Sequence, residues 1–174
     1  MLLALNAELL SHDSATETLQ RWCADHQLAA QPRIVARLTP VVQLADANVR
    51  ALLHAAADEP IRRRRVALVC GTRVLSEADN WYRPGQLTAQ MNETLETTDR
   101  PFGAVIRPLG FHRRTLETRL LFEPLRLGDK SPHTGDLMIP HAVLRHRAVL
   151  ETDDGTPVSF VIETYTGDVL SGEK

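Results

Sequence analysis

Near the C-terminus two runs rich in β-branched residues, AVLRHRAVLE and PVSFVIETY, flank the short segment TDDGT. Val, Ile and Thr are stiff at χ1 and suit a pleated strand, while Asp-Gly suits the backbone of a tight turn. Residues 143–151 are therefore expected to pair with 156–165 around Asp154-Gly155. A second pair of strands is expected at 61–70 and 73–82, joined through Gly71-Thr72. Strands joined this tightly must run antiparallel, because a parallel pair needs a crossover of a dozen or more residues. No regular strand–helix–strand alternation appears. The expected fold class is α+β, a mainly antiparallel sheet with helices packed around it.

The helical segments concentrate in the N-terminal half. HDSATETLQRWCADHQ carries Ser14 and Glu17 in capping-box spacing, then Leu19, Trp22, Cys23 and His26 on one face. Residues 44–58 place Val49, Leu52, Leu53 and Ala56 on one stripe, with Asp46 or Asn48 near the start. Leu87, Met91 and Leu95 define a third helix within 84–98, and 99–110 reads as a turn into a short helix or bend. Residues 32–41 and 111–123 are further strand candidates. Residues 125–140, rich in Gly, Pro, Asp and Ser, read as a loop.

With 174 residues, 43% hydrophobic and 24% charged, the chain suits one globular domain over residues 1–174. Net charge is −2, which speaks against a duplex-binding surface and leaves no nucleic-acid partner expected. MLLALNAELLSHD lacks a basic leader, and Asn6 and Glu8 interrupt it. It is neither a signal peptide nor a membrane span, so the expectation is a cytoplasmic protein with no membrane partner. Cys23 and Cys70 form no CxxC pair and are expected to be reduced thiols, with no metal. Nucleotide-loop, nucleophile-elbow and zincin motifs are absent. Oligomeric state is open.

The order of four stretches resembles the chorismate–pyruvate lyase family. They are LLSHDSATETLQRWC, RRVALVCG through RVLSEADNWYRP, TTDRPFGAVI and DGTPVSFVIETY, and together they run from about residue 9 to 165. The resemblance implies a chorismate lyase-like fold, related to the ligand-sensing domains of GntR-type regulators. It implies conversion of chorismate to 4-hydroxybenzoate and pyruvate with no metal or organic cofactor, and it makes a small molecule the partner, chorismate or a related aromatic carboxylate. It assigns Arg65 and Glu163 as catalytic, with Arg65, Phe102, Gly103 and Ala15 binding substrate. Ala15 and Phe102 differ in size from the family's residues, and SEADNW replaces a family hairpin segment. The Pro157-to-Glu163 spacing is one residue longer than in the family, so Glu163 faces the pocket only if a bulge near Pro157 absorbs the extra residue. The same fold without catalysis, binding an aromatic carboxylate, is the alternative. With no DNA-binding segment read in these residues, a regulator is not the expectation, whereas a binder stays open.

These residue types suit that chemistry. Arginine pairs with a carboxylate bidentately and stays charged when buried, and a carboxyl group beside the ring serves as general acid or base. In a strand, Arg63 and Arg65 share one face and Arg62 and Arg64 the other. By composition a run of four arginines is a solvated edge; the resemblance turns Arg65 inward and leaves Arg64 outside. His112 and His141 are weaker acid–base candidates, and His146, between two arginines, reads as a surface residue. Asp79, Asn80 and Trp81 are candidates for the pocket mouth. Arg113 and Arg114 are minor candidates for a second carboxylate.

Overall fold

A computed structural model describes residues 1–39, 45–122 and 138–171. Six strands form one antiparallel sheet: β1 (Ile34–Thr39), β2 (Arg62–Cys70), β3 (Arg73–Tyr82), β4 (Phe111–Leu120), β5 (Ala142–Thr152) and β6 (Pro157–Thr166). Their spatial order is β1-β2-β3-β6-β5-β4. The helices are α1 (Leu2–Ser11), α2 (Ala15–Asp25), α3 (Ala47–Leu52), α4 (Ala89–Thr97) and α5 (Phe102–Ile106). This is the α+β antiparallel class expected. Both hairpins form, β2 with β3 and β5 with β6. Gly71 and Gly155 take the positive φ that their turns require, +60° and +80°. Most of the expected loop at 125–140, and the end of the strand expected at 32–41, lie outside the described residues.

Sheet parity divides the core. On one face Val66, Leu68 and Ala78 pack with Leu144 and Tyr165 under α1 and α2. Further along this face, Tyr82, Leu150 and Val158 pack under α4 and α5, through Leu95, Phe102 and Ile106. The opposite face is covered over part of its area by α3, whose Val49 and the adjoining Leu53 meet Trp81, Val149 and Phe160.

Local chemistry fixes the helix ends. Ser14 accepts a hydrogen bond from the Glu17 amide and starts α2, and Asp46 accepts from the Val49 amide and starts α3. The third expected helix begins with a 3-10 turn at Pro84–Gln86 before α4. The segment expected to be helical over 44–58 is helix only as far as Leu52; His54, at φ 50°, is left-handed and stops it. α1 was not among the sequence expectations. Its Leu2, Leu5 and Leu9 form a buried helical stripe.

The structure corrects the expectation of free thiols. Cys23 on α2 and Cys70 at the end of β2 form a disulfide, with Cα atoms 6.6 Å apart. Cys23 lies on the inward stripe of α2, and Cys70 ends the strand face that α2 covers. The two side chains therefore meet in the core.

Candidate functional site

A cavity lies on the helix-covered face, between the cluster under α1 and α2 and the cluster under α4 and α5. Alternate residues of five strands supply its floor: Arg64, Val66 and Leu68, then Ala78 and Asn80, then Val161 and Glu163, with Leu150 and Phe111 and Arg113. Residues paired across a ladder share a face. The rows Arg64–Asn80–Val161 and Val66–Ala78–Glu163–His146 therefore all point this way. The roof comes from Asp13 to Thr16 at the start of α2 and from Phe102 and Gly103 at the start of α5. Gly103 suits this close approach: a Cβ there would sit 3.3 Å from both Ser14 Oγ and Thr16 Oγ1, tighter than an ordinary contact. The enclosed space is about 50 Å³. It adjoins a surface groove of about 320 Å³, with which it shares Asp13, Ser14, Gly103 and Phe111.

Arg64, not Arg65, is the arginine in the cavity. Arg64 is 5% exposed, while Arg65 is exposed on the opposite face. The expected assignment of Arg65 to the substrate pocket is corrected by strand parity. Val66, Leu68 and Cys70 face the helices, and residues an even number of places away share their face. Arg65, five residues before Cys70, cannot. Arg64 Nη2 donates to the Arg100 carbonyl at 3.0 Å. Its Nε and Nη1 are buried with no hydrogen-bond partner among the described residues. Burial pushes the Arg64 pKa down, and the Tyr82 phenol offsets this only in part.

The other polar centre is a buried ion pair. Arg113 Nη2 lies 2.5 Å from Glu163 Oε2, with side chains 3% and 9% exposed. Tyr165 donates its hydroxyl to the same Glu163 oxygen at 3.0 Å. Burial lowers the Arg113 pKa, but Glu163 and Tyr165 outweigh it and hold the guanidinium above its ordinary value. Burial and the Glu163 carboxylate push the Tyr165 phenol well up. The Arg113 amide donates to Asp13 Oδ1 at 2.8 Å, tying the α1–α2 link to β4.

Glu163 faces the cavity because β6 carries the required bulge. Leu150 pairs with Ser159 but Glu151 pairs with Pro157, leaving Val158 as the extra residue. Ala15, Phe102 and Gly103 also line the cavity. Of the minor candidates, Arg113 is in the site, whereas Arg114 pairs with Glu151 away from it. Asn80 lines the cavity and accepts from Ser159 Oγ at 2.6 Å. Asp79 and Trp81 lie on the other face. His146 is fully buried, not a surface residue. Its Nε2 lies 2.8 Å from Asn6 Oδ1 on α1, and burial lowers its pKa to about 4. The signal for it was available in the ladder, since His146 falls opposite Glu163. His112 and His141 are exposed and do not line the cavity. Among the described residues no group of three or more His, Cys, Asp or Glu is placed to hold a metal, and no helix is long and apolar enough to cross a membrane.

Fold and cavity define a class of domain in which an antiparallel sheet and its helices enclose a small cavity with a buried cation. No protein-family model matches the chain. The chain belongs to the family of the Uncharacterized protein y4mC of Sinorhizobium fredii, with which it is 49% identical over 178 residues, 98% of this chain and 75% of that protein. The fold is shared with solved structures at low identity. PhnF from Mycobacterium smegmatis matches with a TM-score of 0.58 at 14% identity, over 92% of this chain and 66% of that one; this chain thus spans just under two thirds of it. The effector domain of PhnF matches with a TM-score of 0.55 at 15% identity, over 90% of each chain. A GntR-family transcriptional regulator from Enterococcus faecalis matches with a TM-score of 0.52 at 12% identity, over 80% of this chain and 98% of that one.

Proposed function

We propose that this domain binds a small organic anion, a carboxylate on an apolar or aromatic body, and does not transform it. Arg64 carries the proposal. It is a buried cation with two nitrogens that have no hydrogen-bond partner, in a largely apolar cavity, and no carboxylate among the described residues pairs with it. A buried guanidinium in that state is stabilised by a ligand anion, which it can hold through paired N–H donors. The enclosed volume suits the anionic group, and the adjoining groove past Gly103 and Phe111 suits the body attached to it.

The contacts of Glu163 favour binding over lyase chemistry. Oε2 already accepts from both Arg113 and Tyr165. Both donors belong to the protein, so this oxygen is turned to Arg113 and Tyr165 rather than left free for a substrate. The shared fold of an effector domain supports the same reading. The lyase remains the contrasting outcome. Purified protein is incubated with chorismate while 4-hydroxybenzoate is followed by absorbance, and 4-hydroxybenzoate itself is titrated by calorimetry. Binding without turnover is the expected result. Catalytic release of 4-hydroxybenzoate would replace binding with the lyase reading, and no binding of either compound would remove both.

A further inference from the structure

On the sheet face away from the cavity, α3 lies over the Trp81–Phe160–Val149 row, and among the described residues no helix covers the rows beyond it. Two further rows cross the six strands beyond it. One runs Thr39, Arg65, Asp79, Ile162, Arg147 and Glu117; the next runs Arg37, Ala67, Glu77, Thr164, Arg145 and Arg119. The acids here are already engaged. Asp79 pairs with Arg63 at 2.7 Å, Glu117 with Arg147 at 3.3 Å, and Glu77 lies 3.4 Å from His141. That leaves Arg37, Arg65, Arg119 and Arg145 exposed, with no acidic partner among the described residues. Arg119 and Arg145 are direct cross-strand partners. Like charges placed directly opposite each other destabilise a sheet, so folding alone does not account for this pair.

We infer that this arginine-bearing sheet face docks an acidic protein surface. The occupant is argued from charge complementarity. Arg119 and Arg145 stand side by side in register on β4 and β5, about 4.8 Å apart in strand spacing, and Arg65 and Arg37 stand on β2 and β1 toward the other edge of the same face; arginine is enriched in protein interfaces. Nucleic acid fits less well, because Glu77, Asp79 and Glu117 stand among the arginines and would face phosphates. A protein partner can set donors opposite those acids and carboxylates opposite Arg65, Arg119 and Arg145.

The probe is a fluorescein-labelled glutamate-rich peptide, titrated by anisotropy at low and at physiological salt, with a duplex DNA oligonucleotide in parallel. The expected result is peptide binding that weakens with salt and falls at least roughly tenfold in Arg145→Glu and in Arg119→Glu. Each of these substitutions sets opposite charges across the ladder, so neither should lower the melting temperature. Arg21→Glu, the same charge change on α2, should leave binding intact. Failure of the wild-type protein to bind the peptide, unchanged binding by both reversals, equal loss with Arg21→Glu, or tighter binding of the duplex would each overturn the inference.

Discussion

Arg113 and Glu163 meet across β5, which separates their strands, and the ion pair they form is nearly sealed from solvent. Neither charge is affordable alone at that depth. Removing one partner of a buried pair typically costs about 3–5 kcal/mol, because the other charge stays behind unpaired. Glu163→Ala and Arg113→Ala should therefore each lower unfolding stability by an amount in that range. Replacing both residues with apolar side chains of similar volume should cost much less than the two single losses combined. Urea unfolding of the four proteins measures this. Additive losses would show that the pair is not coupled.

His146 sets a pH dependence. Its folded pKa of about 4 lies below the model-peptide value near 6.5, so the unfolded chain takes up a proton that the folded chain refuses. Stability is complete above pH 6.5 and declines as pH falls from 6.5 toward 4, by roughly 3 kcal/mol if the whole shift is expressed. His146→Phe should flatten the decline within that window. Urea midpoints at pH 7.5 and pH 4.5 test it; the same decline in wild type and variant would exclude His146 as its source.

The disulfide closes a loop between residues 47 apart in sequence. A loop of that length restricts the unfolded chain by about 4 kcal/mol in the chain-entropy account. Reduction, or the double substitution Cys23→Ala and Cys70→Ala, should lower the urea midpoint accordingly. Free-thiol titration of the unreduced protein in denaturant should find none. Two free thiols and an unchanged midpoint after reductant would contradict the bond.

Much of this architecture was legible because it is local. Two Gly-containing turns fixed both hairpins, and Ser14 with Glu17 fixed the start of α2. Ala15, Phe102, Gly103 and Glu163 were placed at the cavity by resemblance, and the structure brings them there. Arg64 was missed although the information was present. The resemblance favoured Arg65, whereas the even spacing of Val66, Leu68 and Cys70 points to Arg64. α1 was missed because the N-terminal segment was weighed only as a leader or membrane span, not for its Leu2, Leu5 and Leu9 stripe. The bulge at Val158 and the Arg113–Glu163 pair depend on how β4, β5 and β6 register in space, which no local pattern specifies. His146 looked like a surface residue because its sequence neighbours, Arg145 and Arg147, point to the other face.

The central claim is that Arg64 anchors the ligand anion, and the neighbouring arginines test it within one strand. Calorimetric titration of 4-hydroxybenzoate is carried out on the wild type, Arg64→Met and Arg65→Met. The account predicts near-wild-type affinity for Arg65→Met. For Arg64→Met it predicts a loss of about 2–5 kcal/mol, or roughly thirty-fold to several thousand-fold. Without ligand, Arg64→Met should melt no lower than the wild type, since it removes an uncompensated buried charge. Affinity retained in Arg64→Met, or lost equally in both variants, would contradict the account.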